Sequence, residues 1–195
     1  NGVPRRSVDF IGNLPAVIFY PSDINMVTGP PALRRWHLDL ALSQVDSDYK
    51  KALTLYEQIV TNRNRVLKRI KEEEGRMDEL TYWSQELIKY GQVVSEKRKQ
   101  FLGFINQLDS PLGKFQFEYD QNVISEERLD QYSGREIAAA ATLVGPHRDD
   151  FKITQEGRKL AHLGSRGEQR TATLAFKLAQ LEYMAEKLGQ RPVLL

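Results

Sequence analysis

Apolar positions along this chain repeat at two different periods, and the switches between them mark out its elements. Ala16-Val17-Ile18-Phe19-Tyr20 is a compact apolar run of the kind that forms a buried strand. Asn1-Gly2 upstream is a favoured hairpin turn pair, and Pro21-Ser22-Asp23 and Gly29-Pro30-Pro31 each break the chain. Beyond these breaks the period becomes helical. Tyr49, Leu53, Tyr56, Val60, Leu67 and Ile70 recur at three- and four-residue spacing and line one helix face. Glu72-Glu73-Glu74-Gly75 interrupts that stripe, and a second runs through Leu80, Trp83, Leu87, Tyr90, Val94, Phe101 and Phe104. Two amphipathic helices joined by a short turn predict an antiparallel hairpin over about 48–106. Gly91 and Gly103 weaken its second helix by about 1 kcal/mol each relative to alanine.

The period then shortens. Phe115, Phe117 and Tyr119 alternate with polar residues as a half-buried strand. Ser125-Glu126-Glu127-Arg128 starts a helix that reaches Ala140, and Phe151 and Ile153 alternate in another strand. Glu156-Gly157 supplies a turn from which Lys159 to His162 return antiparallel. A helix from about Ser165 to Leu188 closes at Gly189 and leads into the apolar run Val193-Leu194-Leu195, one half of an α/β unit. The fold class is therefore mixed, α+β with α/β character, in which strands flank a helical insertion.

Composition narrows the function. Hydrophobic residues make up 41% and charged residues 28% of the 195, an ordinary globular balance, and the net charge of +2 demands no nucleic acid by itself. The absence of cysteine excludes disulfides, thiolate zinc sites and cysteine nucleophiles. No apolar run is long enough for a membrane span, so a cytoplasmic protein is the expectation. The start at Asn1 and the apolar close at Leu195 read as cuts within a larger protein.

The sharpest candidate for chemistry is Gly164-Ser165-Arg166-Gly167-Glu168-Gln169-Arg170-Thr171, which opens the last helix. Unpaired amides and the helix dipole make such an end an anion site, where Gly167 admits a phosphate and Ser165 donates a hydroxyl. The same spacing from Ser165 to Glu168 suits a capping box, and the two readings are compatible. His147, Arg148, Asp149 and Asp150 suggest a metal or acid–base group, yet neighbours on one loop seldom converge on one ion. Arg63, Arg65, Lys68, Arg69 and Lys71 form a basic run, with Lys97, Arg98 and Lys99 as a second, which fit either phosphate contact or a solvated helix face.

Four elements taken together resemble the RecF family of ABC-type DNA-repair ATPases. They are Phe19-Tyr20-Pro21-Ser22-Asp23; Gly29-Pro30-Pro31 followed by Arg34-Arg35 and Leu38-Asp39; Gly145-Pro146-His147-Arg148-Asp149-Asp150; and Ser165-Arg166-Gly167-Glu168 as the signature motif. Arg166 and Glu168 stand where that family commonly has glutamine, the latter as in SMC-type signatures, and His37 stands at an apolar aromatic position. The resemblance implies part of an ABC-type head with a P-loop NTPase fold and an inserted helical-hairpin lobe. Residues 1–30 would supply strands of the head, 31–140 the mainly helical lobe, and 141–195 the signature-bearing part. It further implies ATP and Mg2+ in the parent, with Ser165, Arg166, Gly167 and Glu168 reading ATP held by a second subunit of a homodimer.

DNA is the implied partner, at single-strand gaps and at junctions between single and double strands, with RecO and RecR and through them RecA, within the SOS response. Arg63, Arg65, Lys68, Arg69, Lys97 and Arg98 are the candidate DNA contacts. No G-x-x-x-x-G-K-[ST] run occurs, so the expectation is a weak DNA-dependent ATPase in the parent and neither tight ATP binding nor hydrolysis by this segment. An SMC-like head and a non-catalytic DNA-binding adaptor are the alternatives; the short hairpin argues against the first. A transporter ATPase would not be expected to carry the G-P-H-R-D-D element.

Overall fold

The computed structural model describes residues 14–195, so the Asn1-Gly2 turn pair lies outside the described residues. In chain order the elements are β1 (Ala16–Val17), α1 (Asn25–Thr28), α2 (Pro31–Val45), α3 (Ser47–Lys71), α4 (Glu79–Ile105), β2 (Gln116–Asp120), α5 (Glu126–Ala139), β3 (Asp150–Gln155), β4 (Arg158–Lys159), α6 (Leu160–Leu163), α7 (Arg166–Leu188) and β5 (Val193–Leu194). They fall into two compact units. One comprises the described residues up to Ser47 together with Arg98–Tyr119 and Phe151–Leu195; the other comprises Asp48–Lys97 and Asp120–Asp150. Residues 31–47 thus belong with the signature helix rather than with the helical lobe in which the sequence reading put them.

In the first unit β1 and β5 pair in parallel, Ala16 opposite Val193 and Val17 opposite Leu194. The expected five-residue strand is only two residues long, because Tyr20 already caps a 3₁₀ turn that opens at Pro21. A second sheet has the order β2-β3-β4. Its last strand stops at Lys159, and the predicted return through His162 is instead the short helix α6, which turns Leu160 fully out of solvent. Gly29-Pro30-Pro31 breaks the chain between α1 and α2, and Pro31 begins the second: a proline has no amide to lose at the first helical position, and its fixed φ suits it. Aromatic side chains fill the core. Phe151 stacks on Phe176 at 5.7 Å, and Phe101 and Phe117 meet the same ring at 6.0 and 5.4 Å.

The second unit is built on α3 and the first part of α4. Arg69 meets Glu79, Arg63 meets Ser84 and the Tyr56 ring meets Gly91, so the helices run antiparallel as the two stripes predict. Tyr56, Ile59, Leu87, Ile124, Leu129 and Val144 form the main cluster here, and Val66, Leu67 and Leu80 a second. Gly91 has a packing reason that its helix propensity hides. A Cβ there would lie 3.1 Å from the Tyr56 ring and 3.2 Å from Ile124, whereas one at Gly103 would meet nothing. Ser125 caps α5 by accepting the Arg128 amide, and the helix ends at Ala140 in a left-handed conformation, as the sequence places it.

Candidate functional site

The N-terminus of α7 is exposed and closed by a capping box of its own side chains. Ser165 Oγ accepts the Glu168 amide at 3.2 Å, and Glu168 Oε2 accepts the Ser165 amide at 2.6 Å. The capping box read from the spacing is therefore present. The Ser165 hydroxyl serves both sides of that box, accepting the Glu168 amide and stabilising the Glu168 carboxylate. The box leaves the amides of Arg166 and Gly167 at the open end, where a helix has no partners for them. Ser165, Arg166 and Gly167 are exposed, while Gln169 is buried and donates to the carbonyls of Leu160 and Gly164, fixing the loop that enters the helix. Arg158, reaching from β4, places Nη2 3.1 Å from Glu168 Oε1. The Ser165 backbone amide first, the Ser165 side chain second and then Arg158 hold the Glu168 carboxyl below its usual range, so it is charged. The arrangement can bind an anion at one face of Ser165 and Gly167.

Motif residues elsewhere in this unit act as fasteners. Arg34 donates to the carbonyls of Met26 and Gly29, closing the end of α1 against α2. Arg98, offered by the sequence as a DNA contact, is 2% exposed, with Nε and Nη2 at 3.1 and 2.7 Å from Asp39 Oδ1. Its guanidinium is an internal partner of the motif aspartate and does not reach a surface.

Asp23, His37 and Lys177 form a buried cluster in which Lys177 Nζ lies 3.1 Å from Asp23 Oδ2 and donates to His37 Nδ1 at 3.4 Å. Burial first, and the Lys177 charge second, lower the His37 pKa from 6.5 to about 4. Between those values the unfolded chain binds the proton at His37 and the folded one does not, so the His37 contribution to stability is flat above about pH 6.5 and falls as the pH drops toward 4. His37 alone is expected to remove about 2–3 kcal/mol by about pH 4.5. Urea midpoints of the wild type and His37→Phe across this range check it; parallel pH profiles would show that His37 carries none of the slope.

In the second unit Gly145, Pro146 and Asp149 of the G-P-H-R-D-D element are buried, and His147 is bound within the fold. His147 Nε2 donates to the Thr142 carbonyl at 2.9 Å, which leaves Nδ1 to accept the Tyr56 hydroxyl at 2.7 Å. Asp149 is fully buried and accepts the Asn122 amide, and Asn122 in turn accepts the Gly145 amide. Both imidazole nitrogens are engaged within the fold, so the element holds a loop rather than an ion. Among the described residues no cluster of three or more such side chains is placed to hold a metal.

The basic run on α3 divides. Arg63 is 3% exposed and bound to Glu136 Oε2 at 2.7 Å, so it is withdrawn from the candidate DNA contacts. Arg65, Lys68 and Arg69 are exposed; Arg69 pairs with Glu79 at 2.9 Å and Lys68 with Glu72 at 3.8 Å, while Arg65 donates to Asn62. Lys97 is half-buried. Among the described residues no helix is long and apolar enough to cross a membrane.

No family model matches the chain. Curated proteins do. A DNA replication and repair protein RecF from Herpetosiphon aurantiacus is 39% identical over 212 residues, covering 100% of this chain and 55% of that protein. One of the same description from Chloroflexus aurantiacus is 36% identical over 217 residues, covering 98% and 55%. Among solved structures, the recombination mediator protein RecF with ATPrS in the RecFOR pathway aligns with a TM-score of 0.88 at 30% identity, covering 98% of this chain and 57% of that one. The RecF-ATP structure from the same pathway gives 0.85 at 31% identity, covering 95% and 55%. These alignments place the chain within the P-loop fold of an ABC-type ATPase, with the helical lobe as an insertion.

Proposed function

Because this chain belongs to the RecF family, of whose curated members it spans about half the length, we propose that it serves within a RecF-like, DNA-binding ATPase of recombinational repair and replication. ATP with Mg2+ is bound by the parent protein, and α7 of one subunit closes over the γ-phosphate held by another, so that ATP bridges a homodimer on DNA. The reading extends to a cytoplasmic protein acting at single-strand gaps and junctions, with RecO and RecR as partners in RecA loading. Arg65, Lys68, Arg69 and Lys97 are the DNA contacts that it retains. The relatives' descriptions as a replication and repair protein, and as RecF with ATP in the RecFOR pathway, support it.

One observation carries the ATP part. Ser165 and Gly167 lie exposed at the start of a 23-residue helix whose cap is already closed by its own side chains. Donors fixed before the ligand arrives are what a phosphate sensor needs. Ser165→Arg in a full-length RecF carrying this segment is expected to cut ATP-dependent self-association by about a hundredfold, the scale of losing one oriented donor. The side chain is exposed, so the change should leave the fold intact beyond the roughly 1 kcal/mol of a lost cap. Sedimentation with and without ATP reads the result, and unchanged association would end the proposal.

A further inference from the structure

The signature helix carries its own anion at the place where it would receive one. Glu168 is charged, and its Oε2 lies 2.6 Å from the Ser165 amide, the same end of α7 at which Ser165 and Gly167 are exposed. A carboxylate there uses the favourable end of the helix dipole and repels a second anion brought beside it. Among the described residues its one cationic partner is Arg158, with Nη2 3.1 Å from Oε1. Arg158 does not sit there by chance of a long side chain. Glu156 and Gly157 both take left-handed backbone angles, φ 51° and 76°, making a two-residue turn that pairs Gln155 with Arg158 and sets the register of β4. Arg166, next to Ser165, is exposed.

We infer that Arg158 is a charge-compensating positioning residue for the signature helix: it neutralises the Glu168 carboxylate, so that the start of α7 accepts a phosphate of ATP without like-charge repulsion. This inference rests on the phosphate-reading role proposed for Ser165. As an isolated surface ion pair the contact would contribute little to stability, since both side chains are partly exposed, 46% for Arg158 and 33% for Glu168. Its effect is on the anion.

The test is a double-mutant cycle in a full-length RecF carrying this segment, read as the ATP concentration that half-saturates self-association. Arg158→Ala is expected to raise that concentration about tenfold where Glu168 is present, and by less than about twofold in a Glu168→Gln background, an interaction of the size found between contacting charges. Arg158→Lys, which keeps the charge, is expected to stay near the wild type. Thermal midpoints of the variants, expected to agree within about 2 °C, separate a folding defect from a binding one. An equal loss from Arg158→Ala in both backgrounds would overturn the inference and leave the role of Ser165 standing. Full association with Ser165→Arg would overturn both.

Discussion

Arg63→Ala is expected to destabilise the second unit by about 3–5 kcal/mol, the range for removing one partner of a buried ion pair. Glu136 is 0% exposed and the guanidinium supplies its counterion at 2.7 Å. Arg63 also donates to Thr142 Oγ1 at 3.0 Å and to Ser84 Oγ at 3.3 Å, so one side chain joins α3, α4 and the loop after α5. Truncation leaves a carboxylate inside the protein with, among the described residues, only the Leu143 amide, 2.7 Å from Oε1, to stabilise its charge. Arg65→Ala, two residues on and exposed, is expected to change stability by less than about 0.5 kcal/mol. Urea unfolding of both variants decides the matter, and a cost below about 1 kcal/mol for Arg63→Ala would refute the buried-pair account. Arg63→Met with Glu136→Gln should recover part of the loss, since the amide still accepts from Leu143 without a charge to neutralise. Any weaker DNA binding by Arg63→Ala would then report on folding, and Arg65→Ala is the cleaner probe of contact.

Arg63 also shows where the sequence was readable and where it was not. The spacing of apolar residues located α3 and α4 because each buries a face at helical period, and that period survives any tertiary detail, while α5 and α7 were marked by their start signals at Ser125 and Ser165. The same period held the clue that went unused. Ile59, Arg63 and Val66 lie four and three residues apart on one buried face, and so do Val94, Arg98 and Phe101. An arginine on an apolar stripe points inward, but its acidic partner, Glu136 or Asp39, is remote in sequence and only the fold identifies it. Gly29-Pro30-Pro31 marks a real break between α1 and α2, but the helix that opens at Pro31 has no apolar stripe regular enough to announce it. At the candidate site, the capping box was legible because its partners are three residues apart, while Arg158 was not, because a hairpin brings it across ten positions to Glu168. Local chemistry can be read from spacing, and long-range charge pairing cannot.

Gly145→Ala is expected to cost about 3–5 kcal/mol, the sum of backbone strain and overpacking. Gly145 has φ 122° and ψ 179°, a region that side chains effectively exclude. A Cβ there would overlap the Tyr56 hydroxyl and lie 3.2 Å from Ile124 Cδ1. The hydroxyl has no room to retreat, because it is bound to His147 Nδ1 at 2.7 Å while the other nitrogen of that ring is fixed on the Thr142 carbonyl. Relief through the backbone is also blocked: the Gly145 amide is held by Asn122 at 2.9 Å, and its carbonyl accepts the Arg148 amide at 2.9 Å. The motif glycine is thus required by a tyrosine on a distant helix, which explains why the element begins with glycine without invoking a ligand. Tyr56→Phe removes the hydroxyl, so the steric part of the Gly145→Ala penalty should shrink in the double variant while the φ strain stays. The two changes are expected to be non-additive by about 1–2 kcal/mol in urea unfolding. Strict additivity would place the strain in the backbone alone, and a Gly145→Ala cost within about 1 kcal/mol of zero would remove the lock altogether.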